Sequence, residues 1–82
     1  MAAETQSLAS LAIGSSGTVT EIKVPPEHRS RLLEMGLLEG EEIEVLNIAP
    51  LGDPVEIRIR DYRLSLRRNE AARVSVSIDG KS

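Results

Sequence analysis

The sequence predicts a mainly β fold: a small barrel of five short strands with one inserted helix. Three observations carry that prediction. First, Asp53–Arg68 alternates, with Val55, Ile57 and Ile59 apolar in its first half and Leu64 and Leu66 in its second. Period two over that length means strands with one buried face. Second, Thr18–Lys23, Glu42–Ile48 and Arg73–Ile78 are further short runs rich in Val, Ile and Thr, separated by turn residues. Third, helix punctuation surrounds only one segment of useful length, about Pro26–Met35. With 82 residues there is room for one domain, and closing so short a sheet hides edges that would otherwise recruit other chains.

Met1–Gln6 is polar and reads as loose. Ser7–Ala12 reads as a short helical turn, with Ser7 as its cap and Leu8 and Leu11 on one face. Gly14-Ser15-Ser16-Gly17 is a turn, and it lacks the Gly-Lys-Ser/Thr ending of a phosphate-binding loop. The strand Thr18–Lys23 follows and stops at Pro25-Pro26. Proline is tolerated in a first helical turn, where its missing amide would be unbonded anyway, and Glu27 suits the positive end of the helix dipole. Leu32, Leu33 and Met35 supply the buried stripe. Gly36 stands where a left-handed cap ends a helix. Leu37 and Leu38 fold back, and Glu39-Gly40 makes a tight turn.

In Glu42–Ile48, Ile43 and Val45 point inward while Glu42 and Glu44 point out. Ala49–Pro54 is a loop stiffened by Pro50 and Pro54. The hairpin follows. A two-residue turn at Asp61-Tyr62 would pair Ile59 with Leu64 and Ile57 with Leu66, and would set Glu56 opposite Arg67. Asn69–Ala72 is a single helical turn, Arg73–Ile78 the last strand, and Asp79–Ser82 a frayed end. The ordered part is expected to span about 7–78, as one domain over 1–82.

Composition narrows the function. There is no Cys, hence no disulfide, thiolate site or thiol nucleophile, which fits a reducing cytoplasmic home. Met1–Gln6 has no basic stretch leading into an apolar run, and no apolar run is long enough to cross a bilayer. A net charge of -3 and an aromatic content of 1%, the lone Tyr62, argue against nucleic acid as a partner. Nothing in the pattern excludes self-association.

No catalytic set is assembled by the sequence. His28 is the sole histidine and sits on an exposed first helical turn. Glu39, Glu41, Glu42 and Glu44 form an acidic run that is either a solvated strand edge or a seat for a divalent transition metal. Arg58, Arg60, Arg63, Arg67, Arg68 and Arg73 crowd the C-terminal half. They read either as a docking surface for an acidic partner or as a solvated face balanced by Glu56 and Glu70. Leu51, at the tip of its proline-held loop, is either an apolar anchor or a lid over the open end of the barrel.

Several stretches together resemble the FeoA family. They are Arg31-Leu32-Leu33-Glu34-Met35-Gly36-Leu37, Gly40, Ile43-Glu44-Val45, Ala49-Pro50-Leu51-Gly52-Asp53-Pro54, Glu56-Ile57-Arg58 and Tyr62-Arg63-Leu64-Ser65-Leu66-Arg67. The likeness extends to Leu8, Leu11, Gly14, Gly17 and Val19, and departs at Asp61, where the family often has Gly. It implies an SH3-like barrel and a cytoplasmic accessory role in bacterial ferrous iron uptake, beside FeoB, a membrane transporter that carries a GTP-binding domain. It implies no enzyme activity, cofactor, catalytic residue or metal ligand. The expected partner contacts are Pro50, Leu51, Gly52 and Asp53 in the loop, with outward Arg58 and Arg60, and Tyr62. The alternative is a metal-responsive sensor that takes a divalent ion on its surface carboxylates.

Overall fold

In the computed structural model, which describes residues 4–78, every strand joins one antiparallel sheet. The strands are β1 (Glu4–Ser7), β2 (Ser16–Ile22), β3 (Glu42–Ile48), β4 (Val55–Ile59), β5 (Tyr62–Leu66) and β6 (Val74–Ile78). Their order is β1-β6-β2-β3-β4-β5, with β1 and β5 at the two ends. Helix α1 (Pro26–Glu34) is inserted between β2 and β3, and α2 (Arg68–Ala71) between β5 and β6. Register breaks between Val19 and Glu21 on β2, and between Val45 and Asn47 on β3, mark bulges. Bulges add bend and twist, which lets so small a sheet curl round its own face into a barrel.

One face of the sheet supplies the core. Val19, Ile43, Val45, Val55, Ile57, Ile59, Leu64, Leu66, Val74 and Val76 are buried together with Leu8 and Leu11 from the N-terminal segment and Leu32 and Leu37 from around α1. The alternation seen in the sequence therefore does mark the buried face. Gly17 belongs to β2 rather than to the preceding turn. A Cβ there would lie 2.5 Å from the Ser77 carbonyl oxygen and 2.6 Å from Val76 Cγ1. Glycine is what allows β6 to approach at that point.

Helix α1 starts at Pro26 and ends at Glu34, with Met35 as its cap residue. Gly36 takes φ +90°, its N–H donates to the Leu33 carbonyl, and the Leu37 N–H donates to the Leu32 carbonyl. This crossed pair of bonds is the Schellman arrangement, and its usual apolar contact is supplied by the buried Leu32 and Leu37.

Other expectations need correction as well, among them the buried stripe of α1, where Leu33 is 42% exposed. The sheet has a sixth strand, because residues 4–6, read as loose, pair with β6 from Glu4↔Ile78 to Ser7↔Ser75. A polar four-residue strand has too little apolar alternation to announce itself. Residues 1–3 and 79–82 lie outside the described residues. Ser7 makes no side-chain cap; the segment Leu8–Ser10 is a 3₁₀ turn closed instead by Ser10 Oγ, which donates to the Ser7 carbonyl at 2.8 Å.

The hairpin turn is Arg60-Asp61, not Asp61-Tyr62. Ile57 pairs with Leu64, Ile59 with Tyr62, Val55 with Leu66 and Glu56 with Ser65. Arg60 takes the left-handed conformation, φ +58°, at a cost of about 1–2 kcal/mol. What outweighs that cost is tertiary. Tyr62 stays in the strand, and its hydroxyl donates to the Met35 carbonyl at 2.5 Å. Arg60 meets Glu41 with both Nε and Nη2, at 3.1 and 2.5 Å.

Candidate functional site

The expected contact residues fall in two places, at opposite ends of β4. Before β4 stands the loop. The Gly52 N–H donates to the Ala49 carbonyl at 2.7 Å, and the Ala49 N–H donates to the Pro54 carbonyl at 3.1 Å. Asp53 Oδ1 accepts the Arg68 N–H at 3.0 Å, which ties the loop to α2. Gly52 sits at φ +85°, where a Cβ would be 3.4 Å from Arg68 Cδ and Nε. The loop is therefore bonded at its base and carries Leu51 at its tip, 93% exposed. The lid reading of Leu51 is excluded by that exposure. A held loop loses little entropy on docking, so an exposed leucine there is suited to contact.

At the other end stand Arg58 near the end of β4, Arg60 in the turn and Tyr62 at the start of β5. The two arginines line a groove of about 470 Å³ between β2, β3 and β4, which also includes Gly40, Glu41, Glu42 and Glu44. Arg58 Nε lies 3.8 Å from Glu44 Oε1, and Arg60 grips Glu41 as described. The bidentate hydrogen bond from Arg60 holds the Glu41 carboxyl below the usual carboxylate range. Arg63 lies across from Arg58 in the sheet but reaches Glu56, at 3.5 Å. Tyr62 is 40% exposed, while its hydroxyl lies over Gly36.

Three of the four carboxylates in the acidic run are likewise partnered, all but Glu42 among the described residues. Glu39 reaches Arg29 at 3.6 Å, Glu41 reaches Arg60 and Glu44 reaches Arg58. Among the described residues no group of three or more Asp, Glu, His or Cys is placed to hold a metal ion. Strand geometry contributes to this, since neighbouring residues of a strand face opposite sides, and Glu39, Glu41 and Glu44 each meet an arginine on another element.

Two features had no clear sequence signal. Glu70 is 4% exposed, and its carboxylate takes hydrogen bonds from the Arg31 guanidinium and from the Arg67 N–H. Burial alone would raise its pKa; those hydrogen bonds and the charges of Arg31 and His28 outweigh burial and hold it low. The other is the doublet Arg67-Arg68, whose side chains have no carboxylate within salt-bridge distance among the described residues, unlike Lys23, Arg29, Arg31, Arg58, Arg60 and Arg63. The sequence pointed the other way, since the expected register set Glu56 opposite Arg67, whereas Glu56 faces Ser65 and reaches Arg63.

Fold and surface together define a small β-barrel domain whose distinctive features are an exposed loop and charged outer faces. No helix among the described residues is long and apolar enough to cross a membrane. The chain belongs to the FeoA family, whose domain matches residues 6–78. It is 41% identical over 71 residues to a Fe(2+) transport protein A/Fe(2+) transporter FeoB fusion protein of Porphyromonas gingivalis. That match covers 87% of the chain but only 8% of the fusion protein's length. The solution structure of the FeoA protein from Chlorobium tepidum superposes with a TM-score of 0.87 at 38% identity, covering 94% of this chain and 73% of that one. The crystal structure of Stenotrophomonas maltophilia FeoA complexed with zinc, described as an SH3 domain protein, gives 0.72 at 30% identity, covering 92% and 91%. The SH3-like barrel expected from the resemblance is the observed fold.

Proposed function

We propose that this chain is a non-enzymatic, cytoplasmic accessory domain of ferrous iron transport that docks on the cytosolic part of a FeoB-type transporter and modulates its assembly or GTP-dependent transport. The observation that carries the reading is the fusion relative, in which a segment like this chain is joined to the transporter in one polypeptide. Covalent linkage of two domains keeps a weak contact at high effective concentration, and this domain would meet the same kind of partner by docking. The loop Pro50, Leu51, Gly52 and Asp53 is the principal contact, because among the described residues it alone presents a large, nearly fully exposed apolar side chain on a backbone already fixed. Arg58, Arg60 and Tyr62 form a second contact at the far end of β4, weaker because each arginine already has a carboxylate partner.

Calorimetric titration of the chain into a purified FeoB-type cytosolic domain tests this. Binding is expected, and Leu51→Ala should weaken it about tenfold or more, since burying a leucine is worth roughly 1.5–3 kcal/mol. The same substitution should leave folding stability within about 0.5 kcal/mol, as for other exposed sites. Absence of binding to both the domain and the full-length transporter would overturn the reading.

A further inference from the structure

The positive charge of this domain is unevenly spent. Lys23, Arg29, Arg31, Arg58, Arg60 and Arg63 each have a carboxylate within salt-bridge distance. Arg67, Arg68 and Arg73 have none among the described residues, and all three are exposed. Arg67 and Arg68 line one groove of about 550 Å³, together with Ser7, Ser10, Asp53 and Asn69. Their backbone amides are engaged, Arg67 N–H to Glu70 and Arg68 N–H to Asp53. The main chain is thus pinned while both guanidiniums stay open. Arg68 Cδ and Nε pass near Gly52, 3.4 Å from where a Cβ would stand, and the residue before Gly52 is the exposed Leu51. Two ready cations and an apolar tip therefore share one corner, in a chain whose net charge is -3.

We propose that this corner takes an acidic segment of the protein partner, with carboxylates on Arg67 and Arg68 and an adjacent apolar side chain on Leu51. Guanidinium is suited to this because its planar fork meets a carboxylate with two parallel hydrogen bonds. Asp53 also lines the groove, but its Oδ1 is bonded to the Arg68 amide, so it lowers the positive potential without closing the guanidiniums. A nucleic acid fits less well: two arginines neutralise few phosphates, the chain is acidic overall, and Tyr62, the sole aromatic residue, stands at the other end of β4. The inference rests on the docking role proposed above and names the chemistry of the docked segment.

The test follows backbone amide shifts of the full chain by NMR while a blocked Asp-Glu-Leu-Asp-Glu peptide is added, with a uridine decanucleotide as a parallel arm. Saturable shifts are expected at Leu51, Gly52, Arg67 and Arg68, reduced by added salt and lost in Arg67→Glu/Arg68→Glu. Arg63→Gln, which removes a paired arginine, should bind as wild type. The neutral Arg67→Gln/Arg68→Gln serves as a second variant should charge reversal disturb α2. In the FeoB-type cytosolic domain titration, the double variant should bind about tenfold or more weakly. Unchanged peptide and transporter-domain binding by both double variants overturns the proposal, as does a response of these amides to the nucleotide but not the peptide. If the peptide binds at this corner while wild-type chain binds no transporter, the acidic-segment assignment stands and the transporter reading falls.

Discussion

Replacing Gly36 by alanine should cost about 2–3 kcal/mol, and the cost should be coupled to Tyr62. Gly36 occupies φ +90°. An alanine held in left-handed backbone loses about 1–2 kcal/mol. Its Cβ would stand 1.9 Å from the Tyr62 hydroxyl oxygen and 3.2 Å from Cζ, so the ring must move. Moving it breaks the hydrogen bond from the Tyr62 hydroxyl to the Met35 carbonyl, worth about 1 kcal/mol. The sum is a large share of the stability of a domain this size, about 4–12 kcal/mol at 82 residues. The melting temperature should fall by about 10 °C or more. Tyr62→Phe alone should cost about 1 kcal/mol, because only the hydrogen bond is lost. In the Gly36→Ala background it should cost almost nothing, since the atom that clashes worst is gone. Urea unfolding of the four proteins measures this coupling, expected at about 1 kcal/mol. Additive costs, or a Gly36→Ala protein as stable as wild type, would refute the packing argument.

Gly17→Ala should destabilise by about 1–3 kcal/mol, as overpacking does, because its nearest obstacle is the Ser77 backbone rather than a movable side-chain end; urea unfolding checks it. Ile57→Ala, at a fully buried position paired with Val45 and Leu64, should cost about 2–5 kcal/mol by the same method. Glu70 has a folded-state pKa below its unfolded one. Its contribution is therefore complete above the ordinary carboxylate value of about 4.3 and is lost as pH falls through the depressed folded value. Glu70→Gln should accordingly narrow its stability gap from wild type as pH is lowered from 7 towards 3, and a constant gap in pH-dependent urea midpoints would contradict this assignment.

Much of the barrel was already decided by the chain's own alternation. Period two in Val55–Ile59 and Leu64–Leu66 dictates which side chains are buried, and Gly36 after Leu32-Leu33 dictates where α1 stops. What alternation does not decide is register, because sliding one strand by two residues preserves every inward-facing position. The hairpin is such a case: Leu64 faces Ile57 instead of Ile59, and the choice is made by Tyr62 reaching Met35 and Arg60 reaching Glu41, both distant in sequence. The same reason governs the surface. A sequence counts arginines and glutamates, but only the folded sheet pairs Arg58, Arg60 and Arg63 with Glu44, Glu41 and Glu56 and leaves Arg67 and Arg68 without a carboxylate partner among the described residues, near an exposed Leu51. Local pattern settles inside against outside; contacts between distant segments settle which outside groups stay free to meet a partner.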